Sequence, residues 1–332
     1  MWYTRLVVRQ AEGDTFLWQR RGSAPTIDAT YGDPRLAEIR AAARAGDAGK
    51  WPLIRERLAA AADAEDLTFL VEGMATVSGA ERWIGEVVAA APDDPLALLV
   101  SGARHIAWAW HARGGDAALS VPEPQRRLFR ARLESAEEHL REVAEREPLW
   151  AAPRYFLQIS GRGLDAGQES AERRFEATRS RAPGHAAAHR EWVRQLSRTW
   201  GGSPERMHAF AREAMLAAPA GGPLGELVAL AHLEEWVDRG ADPESGYLGS
   251  PGVLAALHEA AARSVFHPAF VRHRDWTLPF NTFAMAFSLA ADPAARPLFR
   301  TLKNRATPTP WHHLDPRSPL VPYLAHRTRT LR

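Results

Sequence analysis

The chain has 332 residues, of which 45% are hydrophobic, and its formal net charge is +2. It contains no cysteine, which excludes disulfides, thiolate chemistry and cysteine-based zinc sites and is typical of a reducing compartment. The sequence has no run of 18 apolar residues and no signal-peptide core at its start, so it predicts a cytoplasmic protein with no membrane span.

Two short apolar runs begin the chain, at residues 5–10 and 15–20, and four turn-forming residues separate them. This pattern predicts a β-hairpin, with strand limited to the first 22 or so residues. Residues 22–34 are rich in Gly, Pro and Asp and predict a linker. We therefore predict a first unit, residues 1–34, that consists of the hairpin and the linker.

Residues 35–305 are predicted to form an array of antiparallel helix pairs joined by short turns, since Ala, Leu, Glu and Arg dominate this region. The predicted helices span residues 36–45, 50–62, 65–77, 80–91, 95–113, 125–146, 150–160, 169–181, 186–199, 204–217, 223–239, 251–265, 281–291 and 294–303. Residues 114–124 are interpreted as an insertion. The last unit, residues 306–332, is a Pro-rich basic tail in which residues 320–327 are the one candidate for a helical turn.

One spacing recurs four times within this array: a small or apolar residue, another four later, a third three after that, and a proline five further on. The four sets are Ala80–Ile84–Val87–Pro92, Ala136–Leu140–Val143–Pro148, Ala171–Phe175–Thr178–Pro183 and Met207–Ala211–Ala214–Pro219. Offsets of four and seven place three residues on one helical face, and a proline just beyond them ends the helix. The repetition predicts a helical array.

These sets resemble the tetratricopeptide repeat, in which a helix pair recurs about every 34 residues and a proline closes the second helix. Gly102 stands at the family's glycine position, with Leu98 and His105 where the family has Trp and Tyr. The resemblance covers roughly residues 80–240 and implies an all-α solenoid with a concave groove. The chain also resembles uncharacterised repeat proteins of high-GC bacteria, which implies no activity.

Three arginines form the most suggestive candidate site. Arg190, Arg194 and Arg198 are four residues apart and form a ridge on the predicted helix. The resemblance implies that they, with Tyr155 and Arg162 of the preceding repeat, line the groove. Guanidinium groups in a concavity suit a carboxylate or phosphate, although the Lys and Asn of the family's carboxylate clamp are absent. The alternative interpretation is a solvated arginine face.

Arg104 and His105 are further candidates for the groove, because they precede Trp108 and Trp110 on a predicted helix. An aromatic ring beside these cations would suit a planar ligand or an aromatic peptide anchor. The alternative is that the tryptophans only fill space between helices.

No residues in the sequence are arranged as a catalytic set or a cofactor site. His185 and His189 have the spacing of a metal pair, but Ala186 stands where the metalloprotease motif has Glu, and no third ligand is identifiable. We therefore predict no metal, no cofactor and no catalytic residue.

The charge is unevenly distributed. From residue 263 to the end there are eleven basic and three acidic residues, a balance of +8, so the rest of the chain carries −6. The basic end could bind an acidic partner or nucleic acid, or it could pack on the acidic repeats of its own chain. We favour internal packing and do not expect nucleic-acid binding.

The leading hypothesis is a non-enzymatic scaffold or adaptor that binds a protein or acidic peptide through the concave face. One alternative is an enzyme of unknown reaction that uses an Arg/His pocket in the groove. Another is a nucleic-acid-associated regulator that works through the basic end. A pocket of buried, convergent polar groups would favour the enzyme, and an open groove with exposed Tyr and Arg would favour the scaffold.

Overall fold

The computed structural model describes residues 25–113, 122–272 and 274–332. Within these ranges the chain is mostly helical and has two strands of two residues each, which confirms the predicted all-α class. The predicted hairpin at residues 5–20 and most of the predicted insertion lie outside the described residues. The proposed division at residues 34 and 305 stays a prediction.

Sixteen α-helices follow one another in the described ranges. They are α1 (Pro34–Arg44), α2 (Trp51–Ala59), α3 (Ala64–Ala75), α4 (Ala80–Ala90), α5 (Pro95–Arg113), α6 (Glu123–Arg146), α7 (Ala152–Gly163), α8 (Gln168–Arg179), α9 (Ala186–Gln195), α10 (Pro204–Ala217), α11 (Glu226–Asp238), α12 (Pro251–Arg263), α13 (Thr277–Leu289), α14 (Ala295–Leu302), α15 (Pro308–Trp311) and α16 (Leu320–Leu331). Two-residue strands lie at β1 (Thr26–Ile27) and β2 (Arg305–Ala306), and short 3-10 turns lie at Ala48–Lys50, Arg198–Trp200 and Pro223–Gly225.

The repeated spacing coincides with one buried face on each of α4, α6, α8 and α10. All twelve of its non-proline residues are buried. Each closing proline follows within four residues of the helix end, at Pro92, Pro148, Pro183 and Pro219. The period and the proline together therefore located the core-facing positions from sequence.

The odd-numbered helices from α3 to α13 form a continuous row, because each contacts the next odd-numbered helix. The even-numbered helices α4 to α14 pack on members of this row. α11 and α13 are buried on nearly all sides, whereas α10 buries a single face. An apolar pattern all round a helix and an apolar stripe on one side are the sequence signatures of these two situations.

The prediction that strand is limited to the first 22 or so residues is wrong. β1 and β2 pair in parallel, with Thr26 opposite Arg305 and Ile27 opposite Ala306. The C-terminal segment also contains more helix than residues 320–327, since α16 buries Tyr323 and His326 and packs against α13 and α14. Tertiary contacts stabilise the β1–β2 pair and α16, and the local sequence does not predict either of them.

α9 is shorter than predicted and ends at Gln195 instead of residue 199. Ser197 has an extended backbone, Gly201 has a left-handed φ of 81°, and the Gly202 amide donates to the Ser197 carbonyl at 3.0 Å. The chain thus turns back immediately after α9. As a result Arg198 does not continue the ridge of Arg190 and Arg194.

Candidate functional site

A cavity of about 280 Å³ opens beside the row of odd-numbered helices. Helices α3, α5, α7 and α9 supply most of its wall. The rest comes from segments outside the helices, at residues 27–29, Tyr31, Thr76, Ser78 and Asp275, and from Leu278 on α13 and Pro308 and Thr309 on α15. The wall contains both apolar and charged side chains, since Phe69 and Tyr31 lie beside several charged groups. A concave, partly apolar site with a few convergent polar groups is the usual form of a ligand pocket.

Five of the seven predicted groove residues line this cavity: Arg104, Tyr155, Arg162, Arg190 and Arg194. The structure therefore brings together side chains from α5, α7 and α9. His105 and Arg198 are not part of the wall. Arg198 is exposed in the 3-10 turn, and the His105 ring lies 5.8 Å from that of His139 on α6.

Arg190 is buried, with 5% of its surface exposed, and it forms two ion pairs. Its Nε lies 2.8 Å from Glu226 Oε2, and its Nη1 lies 2.6 Å from Asp275 Oδ2. The alternative of a solvated arginine face is therefore wrong for Arg190. Glu226 can reach Arg190 because the row places α11 beside α9.

Arg162 and Arg194 share one carboxylate, that of Glu191 on α9. Arg162 Nη2 lies 2.5 Å from Glu191 Oε2, Arg194 binds the other oxygen, and Arg194 Nε lies 3.6 Å from Glu234. Burial raises the pKa of Glu191, but the two guanidinium groups outweigh burial and lower it to about 2. Glu191 is therefore ionised at any physiological pH.

Glu72 on α3 lies in the same wall in a different environment. The Tyr155 hydroxyl donates to Glu72 Oε1 at 2.9 Å. Burial raises the pKa of this carboxyl to about 7, the hydrogen bond from Tyr155 opposes the rise, and the negative charges of Glu191 and Asp275 add to it. Glu72 can therefore gain or lose a proton near neutral pH.

Arg104 completes the set of guanidinium groups. Its Nε donates to Glu81 Oε2 at 2.9 Å, and its Nη1 donates to the Ala75 carbonyl at 2.7 Å. Only 4% of the Arg104 surface is exposed. Burial and these two hydrogen-bond partners hold its guanidinium group in one position. The cavity thus has four positioned cations in its wall.

The His185–His189 pair is used for local structure. Nδ1 of His185 caps α9 by accepting from the Ala188 amide at 3.2 Å, and its Nε2 lies 3.0 Å from Thr68 Oγ1. His189 Nδ1 lies 2.9 Å from the His185 carbonyl oxygen. The His185 ring thus binds the Ala188 amide and the Thr68 hydroxyl, and the His189 ring binds the His185 carbonyl.

Sequence reasoning missed the acidic members of the wall, Asp28, Glu72, Glu191 and Asp275. Glu72 did have a signal, since it is a lone charge within an apolar stretch of α3. Asp275 had none, because its contact with Arg190 joins residues 85 apart in sequence.

A comparison with known protein families, curated proteins and solved structures finds no match for this chain. Among the described ranges, no helix is both long enough and apolar enough to cross a bilayer.

Proposed function

We propose that the chain is a tetratricopeptide-like α-solenoid of antiparallel helix pairs that binds the acidic end of a peptide or protein partner in this cavity. The protein would act as a non-enzymatic scaffold or adaptor, with the row of odd-numbered helices as its concave face. The helix packing at Gly102 supports the architecture, and the arginines in the cavity wall support the ligand.

The architecture is supported by a close helix approach at Gly102 on α5. A Cβ atom added there would lie 2.7 Å from Leu140 Cγ and 3.3 Å from the Ala136 carbonyl oxygen. Leu140 and Ala136 belong to the repeated spacing, so the glycine position and the repeat positions of the resemblance meet in one interface. A side chain at residue 102 would prevent this approach.

The ligand proposal depends on one observation: four guanidinium groups from three helices meet at one cavity. Arg190 Nη2 and Arg162 Nε are buried and have no hydrogen-bond partner among the described residues. Both arginines line the cavity, so a small shift of either side chain would present an unused donor to a ligand there. Planar, charged donors favour carboxylate oxygens, and desolvated pairs of this kind are stronger than exposed ones.

The size of the cavity limits what can enter. At about 280 Å³ it is at the lower end of the range for small-ligand sites. It can accept one or two residues of an extended chain, and it excludes a folded surface. A chain terminus or a single acidic side chain therefore fits better than a broad protein interface.

The test is capture of defined peptides. One pool would contain N-acetylated tetrapeptides with three random residues and a C-terminal Glu with a free carboxylate. The second pool would have an amidated Gln at the last position. We expect the acidic pool to raise the melting temperature and to be retained on the immobilised protein, and the neutral pool to do neither.

Two matched substitutions localise the binding. Ala187 lines the cavity on α9, so Ala187→Phe should fill the site and abolish retention. Ala209 is exposed on α10, and Ala209→Phe should leave retention unchanged. Equal retention of both pools, or retention by Ala187→Phe, would contradict the proposal.

A second candidate function is catalysis in the same cavity. The convergent arginines and Tyr155 are buried, which is the arrangement expected of an enzyme pocket, and the Glu72–Tyr155 pair supplies a group that could transfer a proton. A carboxyl group with a pKa of about 7 can act as a general acid or base at neutral pH. Incubation with the acidic pool, followed by mass spectrometry, would then show new peptide masses for the wild type and none for Glu72→Gln. An unchanged pool with both proteins would contradict turnover of these peptides.

A further inference from the structure

A second cluster of titratable groups lies away from the cavity, where α10 meets α11. His232 and Glu235 are three residues apart on α11, so their side chains lie on one helical face. His208 approaches from α10, and its Nε2 lies 2.7 Å from Glu235 Oε2. One ligand atom from each of the three residues lies within 4.8 Å of the other two.

We propose that His208, His232 and Glu235 bind one divalent transition-metal ion, with Zn²⁺ as the preferred ion. Two imidazoles and one carboxylate are a common ligand set for zinc sites that keep a fourth position for water. Around a tetrahedral Zn²⁺ with bonds of about 2.0–2.2 Å, the ligand atoms are about 3.3 Å apart. The observed spacing requires side-chain adjustments of about 1 Å.

The Glu235 carboxylate is oriented for this role. Arg239 donates to its Oε1 through Nε at 2.9 Å and Nη2 at 2.6 Å. The other oxygen, Oε2, faces His208 and also accepts from the Tyr247 hydroxyl at 2.7 Å. One oxygen is thus fixed by an outer partner, and the second remains beside the histidines. Outer contacts of this kind normally position metal ligands.

Tyr247 also determines the orientation of the His232 ring. His232 Nδ1 lies 2.8 Å from the Tyr247 hydroxyl oxygen. The hydroxyl proton is donated to Glu235, which can only accept, so Nδ1 of His232 must donate to Tyr247. The other ring nitrogen then carries the lone pair that a metal needs.

The cluster is accessible to an ion from solvent. The His208 side chain is 27% exposed and that of Glu235 is 12% exposed, so the ion can approach along α10. The three ligands could not be recognised from the sequence, because His208 is on a different helix from His232 and Glu235. Adjacent Glu234 and Glu235 look like an ordinary charged pair when read along the chain.

The experiment is a zinc titration of the full chain after treatment with EDTA and dialysis. We expect one Zn²⁺ per chain with a Kd below about 10 µM, and visible d–d bands of tetrahedral geometry when Co²⁺ replaces it. His208→Gln should weaken binding at least about tenfold, because it removes one ligand at a partly exposed position.

His258→Gln is the matched control. His258 is also a surface histidine paired with one carboxylate, at 3.0 Å from Asp292, but it has no second imidazole in such a set. The His258→Gln variant should bind zinc with the same affinity as the wild type. Circular dichroism should show that both variants are folded. No binding below about 10 µM, or equal binding by wild type and His208→Gln, would overturn the proposal.

Discussion

Two glutamates in the wall of one cavity have opposite acid–base behaviour. Glu191 contacts two guanidinium groups and its pKa is about 2, whereas Glu72 contacts the Tyr155 hydroxyl and its pKa is about 7. The difference arises from the partner, since burial raises both values. The net charge of the wall therefore changes by one unit near neutral pH, through Glu72.

The first prediction concerns Glu72→Gln. The carboxyl has a pKa of 4.5 when unperturbed and about 7 in the fold. Between these values the folded state binds more protons, so the free energy of unfolding falls as pH rises from 4.5 to 7. The amide does not titrate, so Glu72→Gln should be more stable than the wild type by about 1–3 kcal/mol at pH 8 and equal to it near pH 4.

Urea unfolding across this pH range measures the effect. Glu86→Gln, at an exposed position on α4, is the control and should follow the wild type at each pH. Parallel curves for wild type and Glu72→Gln would show that Glu72 ionises normally in the fold.

The second prediction is that Arg190 stabilises the fold. Removing it leaves Glu226, which is 2% exposed, without its ion-pair partner. Breaking a buried pair from one side costs about 3–5 kcal/mol, so Arg190→Ala should lower the denaturation midpoint strongly. Arg198→Ala, at an exposed position, should stay within about 0.5 kcal/mol of wild type. Equal midpoints for the two variants would contradict this reading.

At the scale of residues, the sequence predicted the cations of the site but not their partners. Helical spacing placed Arg190 and Arg194 correctly relative to each other. Their partners depend on which helices become neighbours, and Glu226 is 36 residues away from Arg190. Burial of the guanidinium heads follows from those partners, so it could not be predicted from spacing alone.

At the scale of helices, the contact of α5 with α6 should be sensitive to any side chain added at residue 102. Gly102→Ala would place a Cβ atom 2.7 Å from Leu140 Cγ, so we expect destabilisation by about 1–3 kcal/mol. Gly85→Ala on α4 is the matched control, since a Cβ there meets nothing within 4 Å. It should stabilise α4 by up to about 1 kcal/mol, because alanine favours the helix.

Chemical denaturation of both variants gives the comparison. If Gly102→Ala and Gly85→Ala shift the midpoint in the same direction, the close approach of α5 to α6 is not important for stability.

Helices were the most predictable part of the molecule. Their faces followed the 3.6-residue period, and prolines and N-cap residues marked their bounds, as at Ser203 before α10. α9 is the instructive exception. The helix was predicted to continue to residue 199, but Gly201 allows the chain to reverse, and the helix ends at Gln195.

At the scale of the whole molecule, buried neutral histidines should govern stability in acid. Burial lowers the pKa of His185 and of His326 to about 4, compared with 6.5 in the unfolded chain. Below pH 6.5 the unfolded state therefore binds more protons, and the free energy of unfolding should fall by a few kcal/mol between pH 6.5 and pH 4.

Urea unfolding in the Glu72→Gln background measures this loss with one of the opposing carboxyls removed, since burial also raises the pKa of Glu65 and Glu234. Adding His326→Gln should make the loss smaller, because one of the buried histidines whose pKa is lowered no longer titrates. An equal loss with and without His326 would contradict the assignment.

The pairing of β1 with β2 could not be foreseen from the sequence. Each strand has two residues, too few for a period, and the partners are at opposite ends of the described chain. Tail packing was foreseen only in outline. Trp311 of the tail is fully buried and donates to Asn281 Oδ1 at 2.8 Å, which joins the C-terminal segment to α13.

This closure has a consequence for the order in which the protein is made. Translation proceeds from the N-terminus, so the arginines on α5, α7 and α9 leave the ribosome long before Pro308 and Thr309, which complete the cavity wall. Until then β1, which contributes Ile27 to the wall, has no partner strand. A nascent chain therefore carries the charged groups well before it has a finished cavity.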